Sequence, residues 1–229
     1  MLLDFDGSLS AIVAHPELAA ATAGVSQVLA ELVRAYAVVA LISGRRSDDL
    51  RRLVDVEGIR YEGLYGLPAA PDREEPDVER AIADVPNAWA EAKGGDAVSV
   101  HYRQSPDPAE ARRMLLEKLA PIAEASGRRV IEGKQTVELV PSGVPLKGGV
   151  VRRLIVELRL RAALYAGDDA ADLEAFTELE RARADEGVQI ARVAVLGAET
   201  PSDLIAHADE TVEGPEGLVE LLRELVPPS

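Results

Sequence analysis

The feature that decides the fold class is an unbroken apolar run, Ala37-Val38-Val39-Ala40-Leu41-Ile42, which ends at Ser43-Gly44. Such a run, bounded by turn residues, is typical of a strand that is buried on both faces of a sheet. Apolar residues at helical spacing precede it over about 24–36, and Ser47 after it is a candidate helix N-cap. Alternating strands and helices predict a parallel sheet with helices on both faces.

The middle of the chain has a different pattern. Residues 67–76 are rich in proline and charge, as linkers are. After a predicted helical stretch that contains Trp89, residues 97–103 alternate like a half-exposed antiparallel strand. A helix is predicted over about 108–125, and two strands are predicted between 128 and 140. This region is therefore expected to form a separate α+β domain.

The alternating pattern then returns, with a helix over about 148–160 and a strand over 163–166. We therefore predict a doubly wound parallel-sheet α/β core into which the α+β domain is inserted. The predicted limits, in chain order, are core residues 1–67, inserted residues 68–145 and core residues 146–229.

The composition excludes several classes of protein. Of the 229 residues, 47% are hydrophobic and 28% are charged, which predicts a folded core. The net charge is −15, so we expect no binding to nucleic acid or to anionic membranes. The absence of cysteine excludes disulfides and thiolate chemistry and fits a reducing cytosol. No signal peptide or membrane-spanning run is visible, and we expect a cytoplasmic location.

Polar residues fall at the predicted carboxyl ends of the strands, where ligands bind in parallel α/β sheets. They are Asp4, Asp6, Ser43, Asp168, Asp169 and Asp172, with Lys147 before a helix of the same half. Crowded carboxylates repel one another, and Mg²⁺, which prefers oxygen ligands, relieves the repulsion. A cation, a lysine and a hydroxyl suit a phosphoryl group, which one aspartate can attack while another donates a proton to the leaving oxygen.

The run Asp4-Phe5-Asp6-Gly7-Ser8-Leu9 resembles the first motif of the haloacid dehalogenase superfamily of phosphatases. Residues 41–45, 145–148 and 167–172 resemble the later motifs of that superfamily, in the same order. The resemblance implies a haloacid dehalogenase-like core, with the inserted α+β domain as its cap.

Within this superfamily the chain is similar to the trehalose-6-phosphate phosphatases. The similarity is carried by residues 42–45, 99–103, 133–141 and 167–176, so it covers nearly the whole chain. Three positions depart from that family's pattern, because Tyr65, Leu146 and Ala171 stand where the family usually has histidine, asparagine and threonine.

The resemblance implies a role for each candidate residue. Asp4 is the nucleophile, and Asp6 is the general acid and then the base. The implied Mg²⁺ ligands are Asp4, Asp6 through its carbonyl oxygen, Asp168 and Asp169, with Asp172 as the alternative to Asp169. The implied phosphate-binding residues are Ser43, Gly44 and Lys147. The implied substrate-binding residues are Arg45, Glu132, Lys134 and Glu138.

The implied reaction is hydrolysis of trehalose 6-phosphate to trehalose and phosphate through an aspartyl-phosphate. The expected partner is a small sugar phosphate, and the chain is expected to be a monomer. Three other functions stay open: a phosphatase for another sugar phosphate such as sucrose phosphate or a glycosyl-phosphoglycerate, a phosphotransferase or mutase, and a non-catalytic sensor. Asp169 and Asp172 could instead stabilise a helix N-terminus, and Arg45 could bridge the two domains.

Overall fold

The computed structural model describes residues 1–67, 71, 73–94, 96–143 and 146–228. Two compact units are present, one formed by Met1–Gly66 with Pro145–Ser229 and the other by Leu67–Val144. The predicted limits at residues 68 and 145 lie outside the described residues, so the limits of the domains stay a prediction. None of the helices in the described ranges combines the length and apolar character that a membrane span requires.

The strands are numbered in chain order through both units. They are β1 (Leu2–Leu3), β2 (Ala40–Ile42), β3 (Arg60–Glu62), β4 (Trp89–Gly94), β5 (Ala97–His101), β6 (Arg128–Gly133), β7 (Thr136–Pro141), β8 (Ala162–Gly167), β9 (Gln189–Leu196) and β10 (Glu210–Glu213).

The α-helices are numbered in the same way. They are α1 (Val25–Ala35), α2 (Ser47–Leu53), α3 (Pro76–Ile82), α4 (Pro108–Ala125), α5 (Lys147–Leu158), α6 (Asp172–Glu186), α7 (Ser202–Ala206) and α8 (Gly214–Glu224). Helices α3 and α4 belong to the second unit.

The first unit is built on a parallel sheet with the strand order β10-β9-β8-β1-β2-β3. The chain starts at β1, moves outward to β3 on one side and later returns beside β1 to build the other side. The strand order therefore reverses next to β1. In doubly wound sheets a ligand crevice forms outside the carboxyl ends of the strands at such a reversal.

Successive residues of β1 face opposite sides of the sheet, as the strand period of two requires. Leu3 packs in one buried cluster with Leu29 of α1 and Leu218 of α8. Leu2 packs in a second cluster with Leu154 of α5 and Phe176 of α6. Helices therefore cover both faces, and the predicted doubly wound α/β core is confirmed.

The second unit contains an antiparallel sheet with the order β4-β5-β7-β6. One face of this sheet is apolar and packs on the helices of the unit, for example Val100 and Val137 against Leu115 and Leu119 of α4. The predicted α+β character of the insertion is confirmed.

The prediction of a helix around Trp89 is wrong, because Trp89 begins strand β4. The segment is rich in alanine, which favours a helix in isolation. In the structure β4 pairs with β5 over Trp89↔His101 and Glu91↔Ser99, and this pairing outweighs the local preference.

Gly63 follows β3 and allows the loop after that strand to lie directly on the segment after β2. Its backbone N–H donates to Ser47 Oγ at 3.1 Å, and the next N–H, of Leu64, donates to Arg45 O at 2.8 Å. A Cβ at position 63 would lie 2.6 Å from Arg45 O and would also overlap the backbone of Ser47. The obstacles are backbone atoms, so a side chain there cannot be accommodated by a rotamer change.

We predict that Gly63→Ala lowers the free energy of unfolding by about 1–3 kcal/mol, because the added methyl group overpacks a contact between two backbone segments. Denaturant unfolding monitored by circular dichroism measures this. Gly197→Ala is the matched control, since its Cβ would meet Thr200 Oγ1 at an ordinary 3.7 Å. Equal stability of Gly63→Ala and wild type would contradict the close packing described here.

Candidate active site

Three candidate residues follow neighbouring strands at the reversal of strand order. Asp4 comes directly after β1, Ser43 after β2 and Asp168 after β8, and all three are at most 2% exposed. The backbone N–H of Asp4 donates to Ala166 O of β8 at 2.9 Å, which continues the parallel pairing to the end of the strand. The sheet therefore brings residues from distant parts of the chain to one edge.

Lys147, the first residue of α5, is the cation of this edge and is 2% exposed. Its Nζ donates to Asp4 Oδ1 at 2.8 Å and to Asp172 Oδ1 at 2.7 Å, and lies 3.6 Å from Asp169 Oδ1. Burial lowers the pKa of Lys147, but the carboxylates of Asp169, Asp172 and Asp4 outweigh it and hold the pKa well above its usual value. Lys147 is therefore a permanent positive charge next to Asp4.

Asp172 accepts hydrogen bonds on both oxygens and is fully buried. Besides Lys147, Tyr165 donates its hydroxyl to Oδ1 at 2.6 Å, and the backbone N–H groups of Asp168 and Asp169 donate to Oδ2 at 2.8 and 2.9 Å. Burial raises the pKa of Asp172, and Lys147 opposes this shift. Asp172 thus holds both the lysine and the loop that carries Asp168.

Asp169 has a local role at the start of α6. Its Oδ1 accepts from the backbone N–H of Ala171 at 2.9 Å and of Asp172 at 3.2 Å. Carboxylates are favoured at this end of a helix. The interpretation of Asp169 as a helix-terminus residue is therefore supported by these two hydrogen bonds.

The residues present fit a divalent cation. Asp4, Asp168 and Asp172 each offer a carboxylate oxygen, and these oxygens lie within 4.8 Å of one another. Hard oxygen ligands of this kind suit Mg²⁺. Since Asp172 already accepts four hydrogen bonds, Asp4 and Asp168 are the better ligand candidates of the three.

Asp6 and Arg45 form a bidentate ion pair. Arg45 Nε donates to Asp6 Oδ2 and Nη2 donates to Asp6 Oδ1, both at 2.7 Å. A third group, Nη1, donates to Pro16 O at 2.9 Å. The predicted acid–base residue and a predicted substrate-binding residue are thus joined directly to each other.

Ser43 and Gly44 form a tightly held turn after β2. Ser43 Oγ accepts from the backbone N–H of Arg45 at 3.1 Å, and Ser43 O accepts from the N–H of Tyr65 at 3.0 Å. A Cβ at Gly44 would lie 2.6 Å from the hydroxyl oxygen of Tyr65. Tyr65 is one of the three residues that depart from the pattern of the resembled family. It therefore packs directly on the turn that is predicted to bind phosphate.

In the second unit, Glu132 and Glu138 lie on opposite faces of the sheet. Glu132 pairs with Val137 and bonds to Arg112 of α4 at 2.5 and 2.9 Å, on the helix-covered face. Glu138 pairs with Ser99 and therefore shares the other face with it. The structure does not bring these two predicted substrate residues together.

Lys134 lies in the turn between β6 and β7. Its carbonyl oxygen accepts a hydrogen bond from Arg103 Nη2 at 2.9 Å, which links the turn to the segment that follows β5.

Sequence reasoning missed two residues of the buried network. Ser8 Oγ donates to Asp4 Oδ2 at 3.3 Å and lies 3.5 Å from Asp168 Oδ1. Its place inside the quoted first motif was a signal that could have found it. Tyr165 lies within an apolar strand, and nothing in its local sequence indicates a hydrogen bond to Asp172.

Comparison with solved structures identifies the fold. The structure resembles a haloacid dehalogenase-like hydrolase from Bacteroides thetaiotaomicron, with a TM-score of 0.67, 13% identity and coverage of 98% of each chain. It also resembles the C-terminal domain of C. albicans trehalose-6-phosphate phosphatase, with a TM-score of 0.78, 20% identity and coverage of 98% of this chain and 90% of that one. The fold is haloacid dehalogenase-like, with a core and a cap domain, as predicted.

Sequence comparison defines the family. The trehalose-phosphatase family model matches residues 2–76 and 72–210. Trehalose-phosphate phosphatase of Mycobacterium ulcerans is 34% identical over 203 residues, which cover 77% of this chain and 50% of that protein. The chain belongs to the trehalose-phosphatase family, and the predicted resemblance is confirmed. This chain spans between 15% and about half of the length of the first curated relatives that it matches.

Burial of Asp4 leads to a prediction about stability. Burial raises the pKa of Asp4 from 3.8 to about 6, with Lys147 opposing the shift and Asp169 and Asp6 adding to it. The folded protein therefore binds this proton more tightly than the unfolded chain does. Stability is lost as the pH rises from about 4 to about 6, because the buried carboxyl group must then ionise.

We predict that Asp4→Asn, in buffer containing EDTA, is more stable than wild type above pH 6 by on the order of 1–3 kcal/mol. The difference should disappear below pH 4, where both side chains are neutral. Denaturant unfolding across pH 3.5–7.5 tests this, with the exposed Asp185→Asn as the control. A wild-type protein that gains stability relative to Asp4→Asn as the pH rises would contradict the prediction.

Proposed function

We propose that the chain is a phosphoric monoester hydrolase that converts trehalose 6-phosphate into trehalose and inorganic phosphate with the aid of Mg²⁺. The observation that carries the proposal is the contact of Asp4 with Lys147 beside Asp168, at the reversal of strand order. Membership of the trehalose-phosphatase family supports the substrate. The proposal includes a cytoplasmic, monomeric enzyme, with which the cysteine-free sequence is compatible. A phosphatase for a related sugar phosphate is the alternative.

In the proposed first step, an oxygen of Asp4 attacks the phosphorus and the bond from phosphorus to the sugar oxygen breaks. Asp6 gives its carboxyl proton to the departing sugar oxygen, which becomes the hydroxyl group of trehalose. Lys147 stays charged throughout and faces the negative charge that spreads over the phosphoryl oxygens. Ser43 and the backbone of Gly44 are proposed to bind those oxygens from the side of β2.

In the proposed second step, water attacks the phosphorus of the aspartyl-phosphate. The Asp6 carboxylate takes a proton from this water, and the bond between phosphorus and the Asp4 oxygen breaks. Inorganic phosphate leaves, Asp4 is again a carboxylate and Asp6 is again protonated. Both reacting residues therefore return to their starting states.

Mg²⁺ would be held by Asp4 and Asp168, with the Asp6 carbonyl oxygen and Asp169 as further proposed contacts. The ion supplies positive charge to the phosphoryl oxygens. Asp172 is proposed to act indirectly, since it fixes Lys147 and the backbone of Asp168.

We predict that purified protein with Mg²⁺ releases phosphate from trehalose 6-phosphate with a higher kcat/KM than from sucrose phosphate or glucose 6-phosphate. Asp4→Asn should reduce the release to the uncatalysed background, because the nucleophile is gone while the size of the side chain is kept. EDTA should abolish activity, and added Mg²⁺ should restore it. A malachite-green phosphate assay measures all three effects.

Two outcomes separate the possible failures of this prediction. Activity of Asp4→Asn, or activity that persists in EDTA, would overturn the mechanism. Asp4-dependent hydrolysis that prefers another sugar phosphate would overturn the substrate assignment alone.

We also propose that Lys134 and Glu138 bind the hydroxyl groups of the sugar, through charge-assisted hydrogen bonds. Glu132, which pairs with Arg112 on the opposite sheet face, provides a matched control of the same residue type. Glu138→Gln should raise KM for trehalose 6-phosphate about 5- to 30-fold, the equivalent of about 1–2 kcal/mol. Glu132→Gln should leave KM unchanged. An equal effect of the two substitutions in steady-state assays would contradict the separate roles.

A further inference from the structure

We propose that Arg45 is a positioning residue for Asp6 and is not itself a ligand of the substrate. This inference rests on the proposed function, because it concerns the step in which Asp6 moves a proton. It departs from the expected substrate-binding role of Arg45 and assigns a different task to the same side chain.

The contacts of Arg45 hold its guanidinium in place from several directions. Nε and Nη2 donate to the two oxygens of Asp6 at 2.7 Å, and Nη1 donates to Pro16 O at 2.9 Å. The central guanidinium carbon, Cζ, lies 5.7 Å from the centre of the Phe5 ring, within the range of a cation–π contact. The side chain is only 13% exposed. Three of the five N–H donors of Arg45 are thus engaged by Asp6 and Pro16, which points to the protein and not the substrate as the main partner of its guanidinium.

Asp6 needs such support, because its own side chain is 33% exposed and Asp6 lies in the turn that follows β1. A paired guanidinium fixes both the position and the plane of a carboxylate. Each oxygen of Asp6 accepts a hydrogen bond from Arg45 with one lone pair, and a second lone pair can accept a proton. In the ion pair Asp6 is a carboxylate. When it carries the proton of the first step, the protonated oxygen keeps one lone pair for Arg45, so the direction of proton transfer stays fixed.

Another arginine–aspartate pair among the described residues has the same geometry and serves as a matched control. Arg192 Nε donates to Asp209 Oδ2 at 3.0 Å, and Nη2 donates to Asp209 Oδ1 at 2.8 Å. The Arg192 side chain is 12% exposed and Asp209 is 41% exposed, close to the values for Arg45 and Asp6. Neither residue of this second pair belongs to the proposed site.

The two steps of the reaction can be separated with p-nitrophenyl phosphate. Its leaving group is weakly basic, so Asp4 can displace p-nitrophenolate without a proton from Asp6. Hydrolysis of the aspartyl-phosphate still needs the Asp6 carboxylate to take a proton from water. A displaced Asp6 should therefore slow the second step and leave the first one nearly intact.

The test uses the full chain with Mg²⁺ and rapid mixing. In Arg45→Met, p-nitrophenolate should appear in a burst equal to the enzyme concentration, at a rate within about threefold of wild type. Steady-state turnover should fall about 10²-fold, the loss expected when a catalytic group is misplaced. KM for p-nitrophenyl phosphate should not rise. Arg192→Met should behave like wild type in every respect.

Two further variants keep the test decisive if Arg45→Met is unstable. Arg45→Lys keeps the charge but cannot bind both carboxylate oxygens in the same plane, so its turnover should lie between that of wild type and that of Arg45→Met. Turnover of the double variant Asp6→Asn/Arg45→Met should equal that of Asp6→Asn, because Arg45 acts through Asp6.

Four results would overturn the inference. A raised KM or a slow burst in Arg45→Met would make Arg45 a ligand of the substrate. Unchanged turnover would make the ion pair purely structural, and additive losses in the double variant would mean that Arg45 acts independently of Asp6. A wild-type protein without Asp4-dependent release of p-nitrophenolate would instead overturn the proposed function, and this inference with it.

Discussion

The contact on which the rest of the candidate site depends is that of one buried ammonium group with two buried carboxylates. Lys147 begins α5, Asp4 follows β1 and Asp172 begins α6, so one residue links three elements of the core. Removing Lys147, the one cation of this contact, is expected to cost about 3–5 kcal/mol, because the buried carboxylates are then left without a compensating charge. Stability and the placement of Asp4, the proposed nucleophile, therefore depend on the same contact.

The net charge of the chain and the local charge of Lys147 have opposite signs and act over different distances. The chain as a whole carries a net charge of −15, which repels an anionic substrate at a distance. At the carboxyl ends of the strands, Lys147 contacts Asp4, which carries the phosphoryl group in the proposed reaction, and contacts at this range are little affected by salt. Ser8 and Tyr165 add neutral donors to the carboxylates of the same network, so that hydrogen bonds replace part of the lost hydration.

Much of the fold could be predicted because the signals are local. The unbroken apolar run that contains β2 and the 3.6-residue spacing of apolar positions in α1 and α4 are visible in neighbouring residues alone. Helix α7 and strand β10 lack such a signal. The first has five residues, and the second is largely exposed, so neither has a clear apolar pattern. The prediction of a helix at Trp89 is wrong, because the pairing of β4 with β5 outweighs the helix preference of an alanine-rich segment.

The sequence by itself determined which residue types follow the strands, and hence that Asp4, Ser43 and Asp168 meet at one edge of a parallel sheet. Only the tertiary structure decided how these residues and their neighbours are paired. Arg45 bonds to Asp6 across 39 positions of sequence. The register of β6 with β7 places Glu132 and Glu138 on opposite faces of the antiparallel sheet. The physical reason is that hydrogen bonds and strand register depend on distances between segments that are remote in the chain, and local sequence does not contain those distances.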